Sequence, residues 1–158
     1  MNRLIILTIV LTSWIGCTSV KKNSLGNMLA TMQVNEPIPG VCNNSKVIAI
    51  LPFPGNKQIK AKAPKTDEEL IAILNEEVTF LKSNPNFNDK GTVNLIVNCE
   101  GQMVRCGISN KTQSPELDKQ IVDVFSRMKN WDAGTVDGKP VDTSILYSFT
   151  IENGVLSL

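Results

Sequence analysis

The stretch Gly91-Thr92-Val93-Asn94-Leu95-Ile96-Val97-Asn98-Cys99-Glu100-Gly101-Gln102-Met103-Val104-Arg105-Cys106-Gly107-Ile108 decides the fold. Val93, Leu95 and Val97 alternate with Asn94, Ile96 and Asn98, and a second alternation runs through Val104, Cys106 and Ile108, so two half-buried strands are expected. With Glu100-Gly101 at the tip, Val97 faces Val104, Leu95 faces Cys106 and Val93 faces Ile108. All three pairs are apolar, and a slip of one residue would turn every one of them to the wrong face, which fixes the expected register.

Downstream, Ser114-Pro115-Glu116 offers an N-cap, a proline at the first helical position and an acid near the positive helix end. Leu117, Ile121, Val124, Phe125 and Met128 form one stripe of an amphipathic helix, with Arg127 and Lys129 near its end. Trp131 is expected to plug the core at the corner after this helix, Asp137-Gly138 marks a tight turn, and Ile145, Tyr147, Phe149 and Ile151 alternate along a last strand. Upstream, Thr66-Asp67-Glu68-Glu69 is a capping box opening a helix that carries Leu70, Leu74, Val78 and Leu81 and stops at Ser83-Asn84-Pro85. Before it, Val47 to Leu51 is an apolar run ended by Pro52-Phe53-Pro54-Gly55, read as a short strand buried on both faces or added at a sheet edge. The lysines at 57, 60, 62 and 65 read as a solvated loop or edge. These elements predict an α+β, two-layer fold, with three antiparallel strands backed by two helices and an added N-terminal strand or arm.

At the amino terminus, Met1-Asn2-Arg3 is a short positive region and Leu4 to Ile15 an apolar run shorter than the roughly 20 residues a spanning helix needs. Trp14-Ile15-Gly16-Cys17 resembles the bacterial lipobox, which marks 1–16 as a signal peptide and Cys17 as the lipidated residue, two acyl chains sufficing for stable anchoring. The alternatives are an ordinary cysteine in an h-region or an uncleaved anchor. Residues 17–45 then form a lipidated tether, in which Met28, Leu29 and Met32 could make a short helical turn, and 46–158 the folded domain.

The chain has 158 residues, a formal net charge of +1 and no histidine. Its balance gives no electrostatic support for nucleic acid, and the missing histidine excludes Ser-His-Asp and Cys-His nucleophile pairs. Asp67 to Glu69 and Glu76-Glu77 read as a solvated helix face, so the chain is expected not to be an enzyme and to need no cofactor or metal. No small-molecule substrate is evident. Cys106 lies about 13 Å along the hairpin from Cys99, too far to bond with it. Either Cys42 bridges to Cys99, stapling the arm to the hairpin tip, or all three thiols stay free.

Leu51-Pro52-Phe53-Pro54-Gly55, Asn84-Pro85, Gly91-Thr92-Val93, Cys99-Glu100-Gly101, Leu117-Asp118, Trp131, Gly138-Lys139-Pro140-Val141 and Tyr147-Ser148-Phe149 fall in an order that resembles the TonB carboxy-terminal domain, over about residues 51 to 151. That resemblance implies a final strand at a sheet edge, Tyr147, Ser148, Phe149 and Thr150, which accepts an extended segment of a partner such as an outer-membrane receptor. The expected protein is a lipid-anchored binding module of a Gram-negative envelope, outer membrane facing the periplasm, serving TonB-dependent transport. Because a lipid anchor cannot couple to a proton-driven motor as a spanning helix does, fold and function are kept apart. The alternative is a structural envelope lipoprotein contacting peptidoglycan or an envelope assembly.

Overall fold

A computed structural model describes residues 30–32, 36–44, 46–50 and 57–158. The expected signal peptide, Cys17 and the Leu51 to Gly55 motif lie outside the described residues. In chain order the elements are β1 (Ala30–Met32), β2 (Val47–Ala49), β3 (Gln58–Ile59), α1 (Asp67–Glu77), α2 (Thr79–Ser83), β4 (Asp89–Val97), β5 (Met103–Asn110), α3 (Pro115–Ser126), β6 (Gly134–Val136), β7 (Lys139–Val141), β8 (Thr143–Glu152) and β9 (Val155–Ser157). The class is α+β.

The expected three-strand core, β5-β4-β8, is there and antiparallel, but it is the middle of a larger mixed sheet. Six strands run β1-β2-β8-β4-β5, with β9 also on β8, and β2 lies parallel to β8. A second sheet pairs β3, β6 and β7, the last two joined through Asp137-Gly138, both at positive φ. The larger sheet gains β9 because Asn153 and Gly154, also at positive φ, make a two-residue turn of the kind that matches strand twist. Residues 30–32 and 36–44, expected in the tether, belong to the folded body instead: Ala30–Met32 is a strand antiparallel to β2, not a helical turn, and Ile38 is buried.

The hairpin register is Val93 with Ile108 and Leu95 with Cys106, but Val97 stands opposite Met103, not Val104. The reason lies in the loop. Asn98 Oδ1 accepts from the Glu100 and Gln102 amides at 3.0 and 2.8 Å, while Gly101 adopts φ 77°, giving a three-residue loop in place of a two-residue one. Val104 becomes the extra residue of a bulge and packs with Val41 against Ile38, Val47 and Ile96, a small second core under the arm. A Cβ at Gly101 would collide with the Trp131 carbonyl oxygen, so this tip has no room for any other residue.

The main core lies between the helices and the sheet: Leu70, Leu74 and Leu81 from one side, Leu117, Ile121 and Phe125 from another, and Val93, Leu95, Phe149 and Ile151 from the strands. Thr66 and Glu69 form the reciprocal capping box, and Ser114 caps α3 ahead of Pro115. The expected single helix from 67 to 83 breaks at Val78, whose ψ of 91° is extended; the Gln120 side chain on α3 takes up the freed Phe80 amide at 3.0 Å. Trp131 sits in the core, its ring edge-on to Tyr147. Where β9 meets α1, Asn75 acts like a neighbouring strand: its amide group donates to the Leu156 carbonyl at 2.8 Å and its oxygen accepts from the Leu156 amide at 2.9 Å. No helix among the described residues is long and apolar enough to cross a membrane.

Candidate functional site at the interrupted edge of β8

Tyr147, Ser148, Phe149 and Thr150 are expected along a free terminal strand. In the structure β8 is no edge strand: β4 pairs it from Thr143 to Ile151 on one side, and the other side is covered at both ends, by β2 at Thr143-Ser144 and by β9 at Thr150 to Glu152. Thr150 is therefore withdrawn from the expected set, since it pairs with Ser157. Among the described residues a gap remains between the two covers.

Which main-chain groups face the gap follows from the ladder. The Ile48 amide donates to the Asp142 carbonyl at 2.9 Å, so Asp142 presents its backbone to the β2 side, and alternation sends Ser144, Leu146 and Ser148 the same way. Thr150 and Glu152 obey the same parity, flanking the two-residue turn to β9. The amides and carbonyls of Leu146 and Ser148 thus stand at an edge beside which no strand lies among the described residues. A strand laid along them in the register of β2 would offer no N–H from Pro52 or Pro54 to the Leu146 and Ser148 carbonyls, since proline has none to donate.

Side chains sort by the same parity. Phe149 is buried and Tyr147 half-buried against Phe125 and Trp131, so these two serve the core rather than project from the edge. Ser148 and Leu146 point to the helix-free face, where Leu146 is 61% exposed. Burial, followed by the nearby Asp67 charge, pushes the Tyr147 phenol above its usual range.

At the β2 end of the gap sits a knot of polar contacts. Cys42 and Cys99 form a disulfide with a Cα separation of 6.1 Å, and the Asp142 carboxylate, 2% exposed, holds both of them. Its Oδ1 accepts from the amides of Cys42 and Cys99, each at 3.0 Å, and its Oδ2 accepts from the Asn43 amide at 2.7 Å. The sulfurs and carboxylate come within 4.8 Å of one another, but with the sulfurs bonded together no thiolate is left to coordinate a metal. One residue thus ties three segments, since the Asp142 carbonyl also receives β2.

Cys106 is free and half-buried against the core, where burial raises its thiol above the ordinary range. Its alkylation by iodoacetamide at neutral pH should be slower than that of the unfolded chain, because the thiolate is the reacting form. The raised thiol and phenol have one sign. Each stays protonated longer in the folded state than in the unfolded one, so stability is flat near neutrality and falls as pH rises past the unfolded thiol pKa of about 8.5. Urea midpoints measured from neutral to strongly alkaline pH should trace that fall, with Cys106→Ala removing part of it.

Sequence reasoning reached the strand that carries the gap but missed what frames it. Asn153-Gly154 between Ile151 and Val155 was the available signal for β9. The carboxylate of Asp142 carried no local signal. Compared with known proteins, the chain matches no family model, no curated protein and no solved structure.

Proposed function

We propose that the protein is a binding module of the bacterial envelope, lipid-anchored through Cys17 and facing the periplasm, that takes up an extended segment of a partner protein along the gap in β8. The observation that carries this reading is the pair of backbone units at Leu146 and Ser148 that no strand among the described residues pairs, closed off by strands at both ends. An incoming segment can make up to four main-chain hydrogen bonds there, each worth about 0.5–1.5 kcal/mol net, with its intervening side chain set against half-buried Ile145 and Tyr147. The lane admits only a few residues, which suits a short extended motif in an outer-membrane receptor and, through it, a part in TonB-dependent transport.

The test uses a photo-crosslinking amino acid in place of Leu146 in living cells, with and without Ser148→Pro. Proline at 148 removes an amide that faces the gap and leaves the pairing with β4 alone, so the domain stays folded. Adducts to an outer-membrane receptor that disappear with Ser148→Pro are expected. Adducts that persist unchanged would refute strand addition.

A further inference from the structure

On the helix-free face, β5 carries a glycine in mid-strand. Gly107 pairs with Asn94, the irregularities of this hairpin lie elsewhere, and a Cβ built at Gly107 meets nothing within 4 Å. Glycine inside a regular strand weakens it, and one use that offsets the loss is to let another group come close. Above Gly107 lies a trough of about 250 Å³, lined by Asn94, Ile96, Arg105, Ile108 and Ser109.

The chemistry of that trough has one sign. Among the described residues the Arg105 guanidinium has no ion-pair or hydrogen-bond partner, and both ion pairs found involve other cations, Lys65 and Arg127. Asn94 is held by its oxygen, which accepts from the Ser144 hydroxyl at 3.3 Å, so its amide donors are left over. The Ser109 hydroxyl is spent on the Thr92 carbonyl at 3.2 Å. Two sets of unused donors, one charged and planar, border an opening floored by Gly107.

We infer that this trough is a binding site for a carboxylate on a short aliphatic stem, the shape of an acidic side chain of a peptide. The carboxylate pairs with the fork of Arg105, which suits a planar two-oxygen group, and takes a further bond from Asn94, while the stem lies over Gly107, where no Cβ stands in its way. This inference stands apart from the gap in β8, since no residue of the gap lines the trough.

The test is a titration of the full chain, followed by backbone amide shifts, with N-acetylglutamate, N-acetylglutamine and inorganic phosphate as probes. N-acetylglutamate should give saturable shifts at Asn94 and Gly107, with the uncharged amide at least about tenfold weaker, as the loss of one charge-assisted pair requires. Arg105→Gln should weaken it by a similar factor. Gly107→Val should abolish it by filling the trough while leaving the fold at least as stable, because valine suits a strand and meets no neighbour there. Ser148→Pro should change nothing. Absent shifts at these two residues, an equal or stronger response to N-acetylglutamine or phosphate, or indifference to Arg105→Gln would each overturn the inference.

Discussion

Asp142→Ala should be among the most destabilising single substitutions in the domain, lowering the free energy of unfolding by about 3–6 kcal/mol. The carboxylate is nearly sealed from solvent and accepts from three backbone amides of two separate segments. Alanine leaves those three amides without an acceptor; a buried orphan costs about 1–3 kcal/mol, and those on the exposed Cys42 and Asn43 fall toward the low end of that range. Against a total stability of roughly 5–15 kcal/mol, that loss is a large fraction of the whole. Asp142→Asn should cost less, since its side-chain oxygen still serves Cys42 and Cys99 while its amide group confronts the Asn43 amide. Equilibrium urea denaturation of the three proteins checks the order. A loss under about 1 kcal/mol for alanine would mean the amides find water instead.

Opening the Cys42–Cys99 bridge, by Cys42→Ser with Cys99→Ser, should cost about 4 kcal/mol on the chain-entropy account for a closed loop of this size. The sequence separation is 57 residues, and the loop contains α1, α2 and β4, so the unfolded chain regains much freedom when it opens. The two effects should not add. Asp142 binds the amides of both cysteines, so once the arm is released part of its contribution has already gone, and the triple variant should be more stable than the sum of the losses predicts. Strict additivity would show that carboxylate and bridge stabilise the arm independently.

How much of this was legible in the sequence depended on the range of the interaction. The β4–β5 pairing, the capping box at Thr66, the stripe of α3 and the place of Trp131 all follow from periods of two or 3.6 residues within short windows. The slip at Val104 was hidden because Val104, Cys106 and Ile108 alternate without a break, whereas the Asn98 side chain, which sets the loop, leaves no mark on hydrophobic pattern. The parallel pairing of β2 with β8 joins segments about a hundred residues apart, and no local period encodes a partner at that distance. For the same reason nothing local corrects the edge position that the TonB resemblance implies for the last strand. Its apolar alternation describes which face is buried and is silent about what lies to either side. The prolines at 52 and 54 end the apolar run in the sequence, but only the register of β2 shows which carbonyls a strand continued through them could not serve. Arg105 and Gly107 likewise look like solvated strand residues until Asn94 is placed opposite the glycine.

Asn75 has a consequence for life at high concentration. An outermost strand is a template on which a second molecule can lay its own, and a third on that, until a fibre grows. By giving Leu156 both a donor and an acceptor from a helix, the protein uses up that template at the β9 rim, and replacing the side chain with leucine would hand it back.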